Sequence, residues 1–203
     1  DLRMSRGLGD VYKRQKNMLQ VENLNKSFGS KQVLFDINFK ADNGKILGLI
    51  GKNGSGKTTL FHSILKFVKY QGKITIDGHS FSSRDYNSVG YLPEERSLMP
   101  KLTVLEQVSF LASLKGMKKD EVKRDLQDWM QKLEVKGQIT DKIKSLSKGN
   151  QQKIQLIATL IHQPNLIILD EPFSGLDPVN VEIIKEIISV SYTHLTLPTI
   201  LLV

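Results

Sequence analysis

Nine residues, GKNGSGKTT at 51 to 59, hold the most specific chemistry in this chain. They satisfy G-x-x-x-x-G-K-[ST] through Gly51, Gly56, Lys57 and Thr58, directly after the apolar run KILGLI. Glycines let backbone N–H groups curl around phosphate oxygens, and a helix opening at Lys57 adds the positive end of its dipole. Lys57 can reach the β- and γ-phosphates of a nucleoside triphosphate, and the Thr58 hydroxyl suits magnesium. The expected phosphate-contacting set is therefore Gly51, Asn53, Gly54, Ser55, Gly56, Lys57, Thr58 and Thr59.

A magnesium carboxylate belongs at the end of a second buried strand, and LIILDE supplies Asp170 followed by Glu171. Asp170 can hold the ion through water. Glu171, one residue on, is placed to polarise an attacking water as general base, an effect worth ~10²–10⁴ in rate. A carboxylate pair at a strand end can also be mere solvated surface; four apolar residues before it favour the catalytic reading.

These groups need elements to hold them. From Met18, LQVENLNKSF and VLFDINFKA alternate as strands, and KILGLI is a short run of the buried-strand type. KITID at 73 to 77 and SVGYL at 88 to 92 give two more strands. Helical character follows Pro93. Thr103-x-x-Glu106 is a capping box before Val104, Leu105, Val108, Leu111 and Ala112. A second amphipathic helix places Val122, Leu126, Trp129, Met130 and Leu133 on one face, with Trp129 read as core. A third runs from about Gln151 to His162 and stops at Pro164. NLIILD is a buried strand, and PVNVEIIKEIISV makes a helix to Val190 with proline in its first turn. The fold class is α/β.

At 203 residues the chain has room for one well-buried core carrying a small subdomain. Its 39% apolar and 25% charged residues are those of an ordinary globular protein, and no window reaches the roughly 18 apolar residues of a membrane helix. The net charge of +8 comes from Lys and Arg interspersed with Asp and Glu, which reads as a solvated basic face rather than a nucleic-acid groove. With no cysteine, disulfides and thiolate metal sites are excluded, which fits a reducing cytosol. His62, His79 and His162 have no carboxylate or second histidine at ligand spacing and read as ordinary polar residues.

The segment LSKGNQQ at 146 to 152 narrows the class. Ser147, Gly149 and Gln151 match the LSGGQ-like signature, and Ser174-Gly175-Leu176-Asp177 the D-loop, of ABC ATPases; with the phosphate loop and LIILDE in the same order, residues 18 to about 190 resemble that family. Ser147 heads a helix whose first N–H groups form another anion-binding terminus. The resemblance implies a P-loop NTPase fold with an N-terminal antiparallel β subdomain and a helical subdomain. It implies ATP and Mg2+ as cofactors, and a head-to-tail dimer in which each ATP lies between one subunit's phosphate loop and the signature of a second ATPase subunit. Ser147, Gly149, Gln151 and Asp177 would then contact nucleotide. Phe28 falls where the family places an aromatic ring against adenine, with an edge-strand core role as its alternative. Glu94, in GYLPEER, stands where glutamine is usual; as a carboxylate it can meet magnesium or water, with a catalytic role, while adding negative charge beside a triphosphate. The combination is most similar to ATP-binding subunits of bacterial exporters, the sodium-efflux type included. That implies a separate transmembrane permease, docked on the segment from Glu94 through the helical subdomain, a place on the inner face of the cell membrane, and no nucleic acid. Family members acting on nucleic acid usually carry two ATPase domains or a long coiled-coil insertion, neither of which is seen here.

The family's switch histidine follows the next core strand, and SYTHL offers His194. After a helix to Val190, a connection of ~2–6 residues and a strand of ~5–6 place that histidine at about 199 or later, so His194 arrives too early. Pro198 inside LTLPTILLV demotes that run as a central parallel strand. The expectation is thus that the last core strand is missing. The ends, with DVYKRQ and SYTHLTLPT, look like translated adapter sequence. The expected organisation is 1–17 a non-native or disordered extension, 18–93 and 164–190 the ATP-binding core, 94–163 the helical subdomain, and 191–203 a non-native tail with weakened turnover.

Overall fold

The computed structural model describes residues 17–95, 97–174, 176–194 and 199–202, with side chains described within 18–186. What the sequence implies for residues 1–16 lies outside the described residues. β1 (Asn17–Phe28) and β2 (Lys31–Asp42) form a long antiparallel hairpin, turned at Gly29 with φ 58°. β3 (Ile46–Gly48) leads through the phosphate loop to α1 (Lys57–Ile64). β4 (Gln71–Ile76) pairs with β1, and β5 (His79–Ser80) pairs with β4. Asp77 and Gly78, at φ 49° and 81°, make the two-residue connection between β4 and β5, the positive-φ turn that suits strand twist. This first sheet has the order β2-β1-β4-β5, the antiparallel layer expected of the amino-terminal part.

The second sheet is parallel. β6 (Val89–Leu92) pairs with β7 (Leu166–Leu169), and β8 (Thr199–Leu202) lies between β7 and β3, giving β3-β8-β7-β6. Alternation on β6 and β7 divides the core in two. Val89, Leu166 and Ile168 meet Phe61, Ile64 and the first sheet; Leu92, Ile167 and Leu169 meet the helices. With both faces covered, LIIL is buried at every position, as a parallel strand requires.

The helical layer is α2 (Val104–Ser113), α3 (Lys119–Lys132) and α4 (Lys148–Leu160), followed beyond β7 by α5 (Pro178–His194). The capping box of α2 is present: Glu106 N donates to Thr103 Oγ1 at 3.2 Å, and Thr103 N to Glu106 Oε2 at 2.8 Å. On α3, Val122, Leu126 and Met130 are buried as one stripe, continued by Leu133, with Trp129 half-buried against the same core. Gly90 allows α4 to seat on β6: a Cβ there would stand 2.6 Å from the Thr159 carbonyl oxygen.

Three expectations change. The third helix starts at Lys148, not near Gln151, because Ser147 caps it. The last helix continues past Val190 to His194. Most consequentially, Thr199–Leu202 is a central parallel strand, so the demotion drawn from Pro198 fails and a strand expected to be missing is present. Proline lacks only its own N–H; placed one residue before the strand, it takes no donor from the ladder, and TILL is an apolar run of the buried type. His194 closes α5 ahead of β8, not behind it, which is where the spacing argument sets it apart from a switch histidine.

Candidate functional site

The phosphate loop ends at Gly56, the N-cap of α1, with φ 99° and no side-chain cap. A Cβ at Gly56 would lie 3.0 Å from both Val33 Cγ1 and Leu34 Cδ2, so both the turn and the space demand glycine here. The first N–H groups of α1 are consequently left to an outside acceptor. Lys57 Nζ donates to the carbonyl oxygens of Gly51 at 2.9 Å and Lys52 at 3.2 Å, and Ser55 N donates to Lys52 O at 3.0 Å, which closes the loop on itself.

Opposite α1 stands the end of β7. Asp170 N continues the ladder to Leu92 O at 2.9 Å, which carries the side chain of Asp170 inside, 1% exposed. Its carboxyl accepts from the Thr58 side chain, yet among the described residues Oδ2 has no hydrogen-bond partner. Burial, with Glu171 beside it, raises the Asp170 pKa, opposed by the Thr58 bond and the charges of His62 and Lys57. A buried carboxylate oxygen left unpaired next to a threonine hydroxyl fits a divalent ion, and Mg2+ characteristically takes one or two carboxylates, waters and substrate phosphates. Among the described residues no group of three His, Cys, Asp or Glu forms a metal site without such help.

A cleft of about 230 Å³ brings together Asn53, Gly54, Gly56, Lys57, Thr58 and Thr59 with Glu94, Asp170 and Glu171. Val33 of β2 is its remaining wall, a site residue the sequence reading misses. An adjoining depression of about 360 Å³ shares Asn53, Lys57 and Glu171 with it and adds Gly51, Phe173 and Ser174. Glu171 thus borders both spaces. Its backbone sits at φ 47°, a left-handed conformation for a residue with a full side chain, in a turn closed by Ser174 N to Glu171 O at 3.1 Å. Behind the cleft, Tyr91 is pushed up to about 12 by burial and by Asp170 and Glu94, so it stays a donor; its hydroxyl lies 3.3 Å from His62 Nε2.

Other sequence-derived residues are not in this cleft. Phe28 ends β1, half-exposed. Ser147 Oγ accepts from Asn150 N at 3.3 Å, and Gly149 packs on the side chain of Asn180, so the heads of α4 and α5 adjoin. Asp177 accepts from Asn180 N at 3.0 Å and from its side-chain amide, which holds its carboxyl below the usual range. Gly175 lies outside the described residues. Gln151 donates its amide to Ile143 O at 3.1 Å and Leu146 O at 3.0 Å, so its side chain braces the approach to α4 instead of facing out. Two neighbours on α4 reach toward the cleft loops: Gln152 donates to Pro172 O at 3.5 Å and Gln155 to Glu95 O at 3.3 Å. Both are buried, and the sequence gives no mark of it, since they stand among several other polar residues in KGNQQKIQLIATL. Among the described residues none of His62, His79 and His162 belongs to a group of three potential metal ligands; His79 pairs with Asp85 at 2.9 Å, a carboxylate the sequence spacing does not suggest, and burial lowers His162 to about 4.

A glycine-capped helix facing a buried aspartate across a parallel sheet defines a P-loop phosphate-binding domain. Comparison with known proteins sharpens that. The sequence model described as ABC transporter matches residues 34–174. An ABC transporter ATP-binding protein of Bacillus subtilis, YhaQ, is 44% identical over 170 residues, covering 83% of this chain and 57% of that protein. The lipopolysaccharide export system ATP-binding protein LptB of Haemophilus influenzae is 35% identical, covering 85% and 75%. Among solved structures, an ATP-binding subunit of an ABC transporter aligns with TM-score 0.80 at 28% identity over 91% of this chain and 78% of that one; cbiO1 of Clostridium perfringens, part of the cbiONQ complex, aligns with TM-score 0.78 at 26% over 92% and 78%. The chain belongs to the ABC transporter family, as a domain of its ATP-binding type. It spans 57%, 63% and 52% of the lengths of three curated relatives at 44–49% identity.

Proposed function

We propose that this chain binds MgATP in the cleft between α1 and β7, closes head-to-tail on a second ATPase subunit, hydrolyses ATP, and so powers export through a separate transmembrane permease. The observation that carries it is the meeting of Lys57 and Thr58 with Asp170 and Glu171 in one cleft. The N–H groups at the head of α1 and the Lys57 ammonium bind the triphosphate and offset its charge. Thr58 and Asp170 would hold Mg2+, with Glu94 lining the same cleft; bound there, the ion would offset the charge of the phosphate oxygens. Glu171 accepts a proton from water as the water oxygen bonds to the γ-phosphorus, the bond to the bridging oxygen breaks, and ADP and inorganic phosphate leave. Ser147 and Gly149 serve the nucleotide of the opposite subunit, because the Ser147 terminus is formed but contributes nothing to its own cleft. The similarity to LptB, the ATP-binding protein of a lipopolysaccharide export system, supports the export direction. Among the described residues no helix is long and apolar enough to cross a membrane. In this reading the permease is a separate chain, and the ATPase docks on it from the cytoplasmic side.

Glu171→Gln tests this: hydrolysis falls by ~10²–10⁴ while MgATP still binds, and ATP converts the variant to a dimer by light scattering. Unchanged hydrolysis refutes the role of Glu171, and an ATP-saturated variant that stays monomeric refutes the closure.

A further inference from the structure

Lys26 precedes Phe28 by two positions on β1, which puts both side chains on one face of the strand. Its ammonium lies 4.4 Å from the centre of the Phe28 ring, within the range of an attractive cation–ring contact. Phe28 is 50% exposed, and among the described residues no aromatic ring packs on it. One face therefore carries a cation, and half of the residue is open to solvent. The hairpin that ends β1 at Phe28 also carries Val33, which lines the triphosphate cleft, so the open ring stands on the strand pair that walls that cleft.

We propose that Lys26 is a positioning residue for the nucleobase: it covers one face of Phe28, leaving a single stacking face, and tunes that face for a purine. The proposal rests on Phe28 being the base-stacking residue. Two physical effects act in the same direction. A cation on one side draws π density toward itself, so the far face repels the electron-rich face of adenine less. The contact also holds the ring in place, so less side-chain freedom is lost when the base arrives.

The test separates base from phosphate. Calorimetry with MgATP and with magnesium tripolyphosphate, which has no base, is run on the wild type, Lys26→Met, Lys26→Arg, Phe28→Ala and the Lys26→Met/Phe28→Ala double variant. Expected are a weakening of MgATP by about two- to five-fold in Lys26→Met, retention in Lys26→Arg, no change for tripolyphosphate, and no further loss from Lys26→Met once Phe28 is alanine. If Phe28→Ala weakens MgATP but Lys26→Met leaves it unchanged or tightens it, the Lys26 proposal is overturned. Equal weakening of MgATP and tripolyphosphate by Lys26→Met also overturns it, since Lys26 then acts on phosphate. If Phe28→Ala itself binds MgATP as the wild type does, the stacking role of Phe28 fails, and that of Lys26 with it.

Discussion

The proposed function assigns anion binding to two helix heads, and they are built in opposite ways. At α1 the cap is a glycine in a left-handed turn without a side-chain bond, and the head faces a cleft with a lysine and three carboxylates. At α4 the cap is Ser147, whose hydroxyl oxygen already accepts from Asn150 N. The first head leaves its donors to a ligand in its own subunit. The second satisfies part of its need locally, through the bond from Asn150 N to Ser147 Oγ. The proposed head-to-tail dimer uses this difference: one terminus grips nucleotide, and the other completes the site on contact.

Substitution of the two head glycines separates them most sharply. Gly56→Ala forces a side chain into φ 99° with Val33 and Leu34 at 3.0 Å, and should cost about 2 kcal/mol or more in denaturant melts. Gly149→Ala meets the Asn180 amide at 3.0 Å, at ordinary helical φ and with no backbone atom beyond its own helix within 4 Å, so a shift of a few tenths of an ångström in one side chain suffices and the cost should be well under that. Equal losses would break the comparison. A smaller effect belongs to the cap itself: Ser147→Ala should lower stability by about 1 kcal/mol, with no counterpart at α1, where there is no cap bond to remove. The smallest is at the head of α2, an ordinary closed terminus. There Thr103 holds Glu106 below the usual carboxylate range. A depressed folded-state pKa means that the contribution is present above the unfolded value and lost as pH falls through the folded one. Acid titration of Glu106→Gln should therefore show a shallower loss of stability than wild type at low pH; identical acid limbs would remove Glu106 from the cap.

The parts of this site that the sequence discloses are those set by local chemistry. GKNGSGKTT and LIILDE each lie within one strand–turn unit, and the capping box of α2 needs only residues three apart. What stays hidden depends on distant pairing. Val33 becomes a cleft wall because β2 folds back over Gly56, and nothing in VLFDINFKA marks it. Gln152 and Gln155 matter through the carbonyls of Pro172 and Glu95, loops 20 and 60 residues away. β8 departs from the expectation because Pro198 precedes the strand Thr199–Leu202 in sequence and so removes no donor from its ladder. The β4–β5 hairpin did have a local signal, Asp77-Gly78, which strand alternation alone does not use.

The most direct measurement is calorimetric titration of MgATP into Lys57→Ala and Ser147→Ala beside the wild type, at protein concentrations where the chain is monomeric. The account predicts a loss of about 10- to 100-fold in affinity for Lys57→Ala, as removal of charge-assisted phosphate bonds implies, and wild-type affinity for Ser147→Ala. Equal weakening in both variants would mean that the two heads share one nucleotide within one subunit, and would contradict the account.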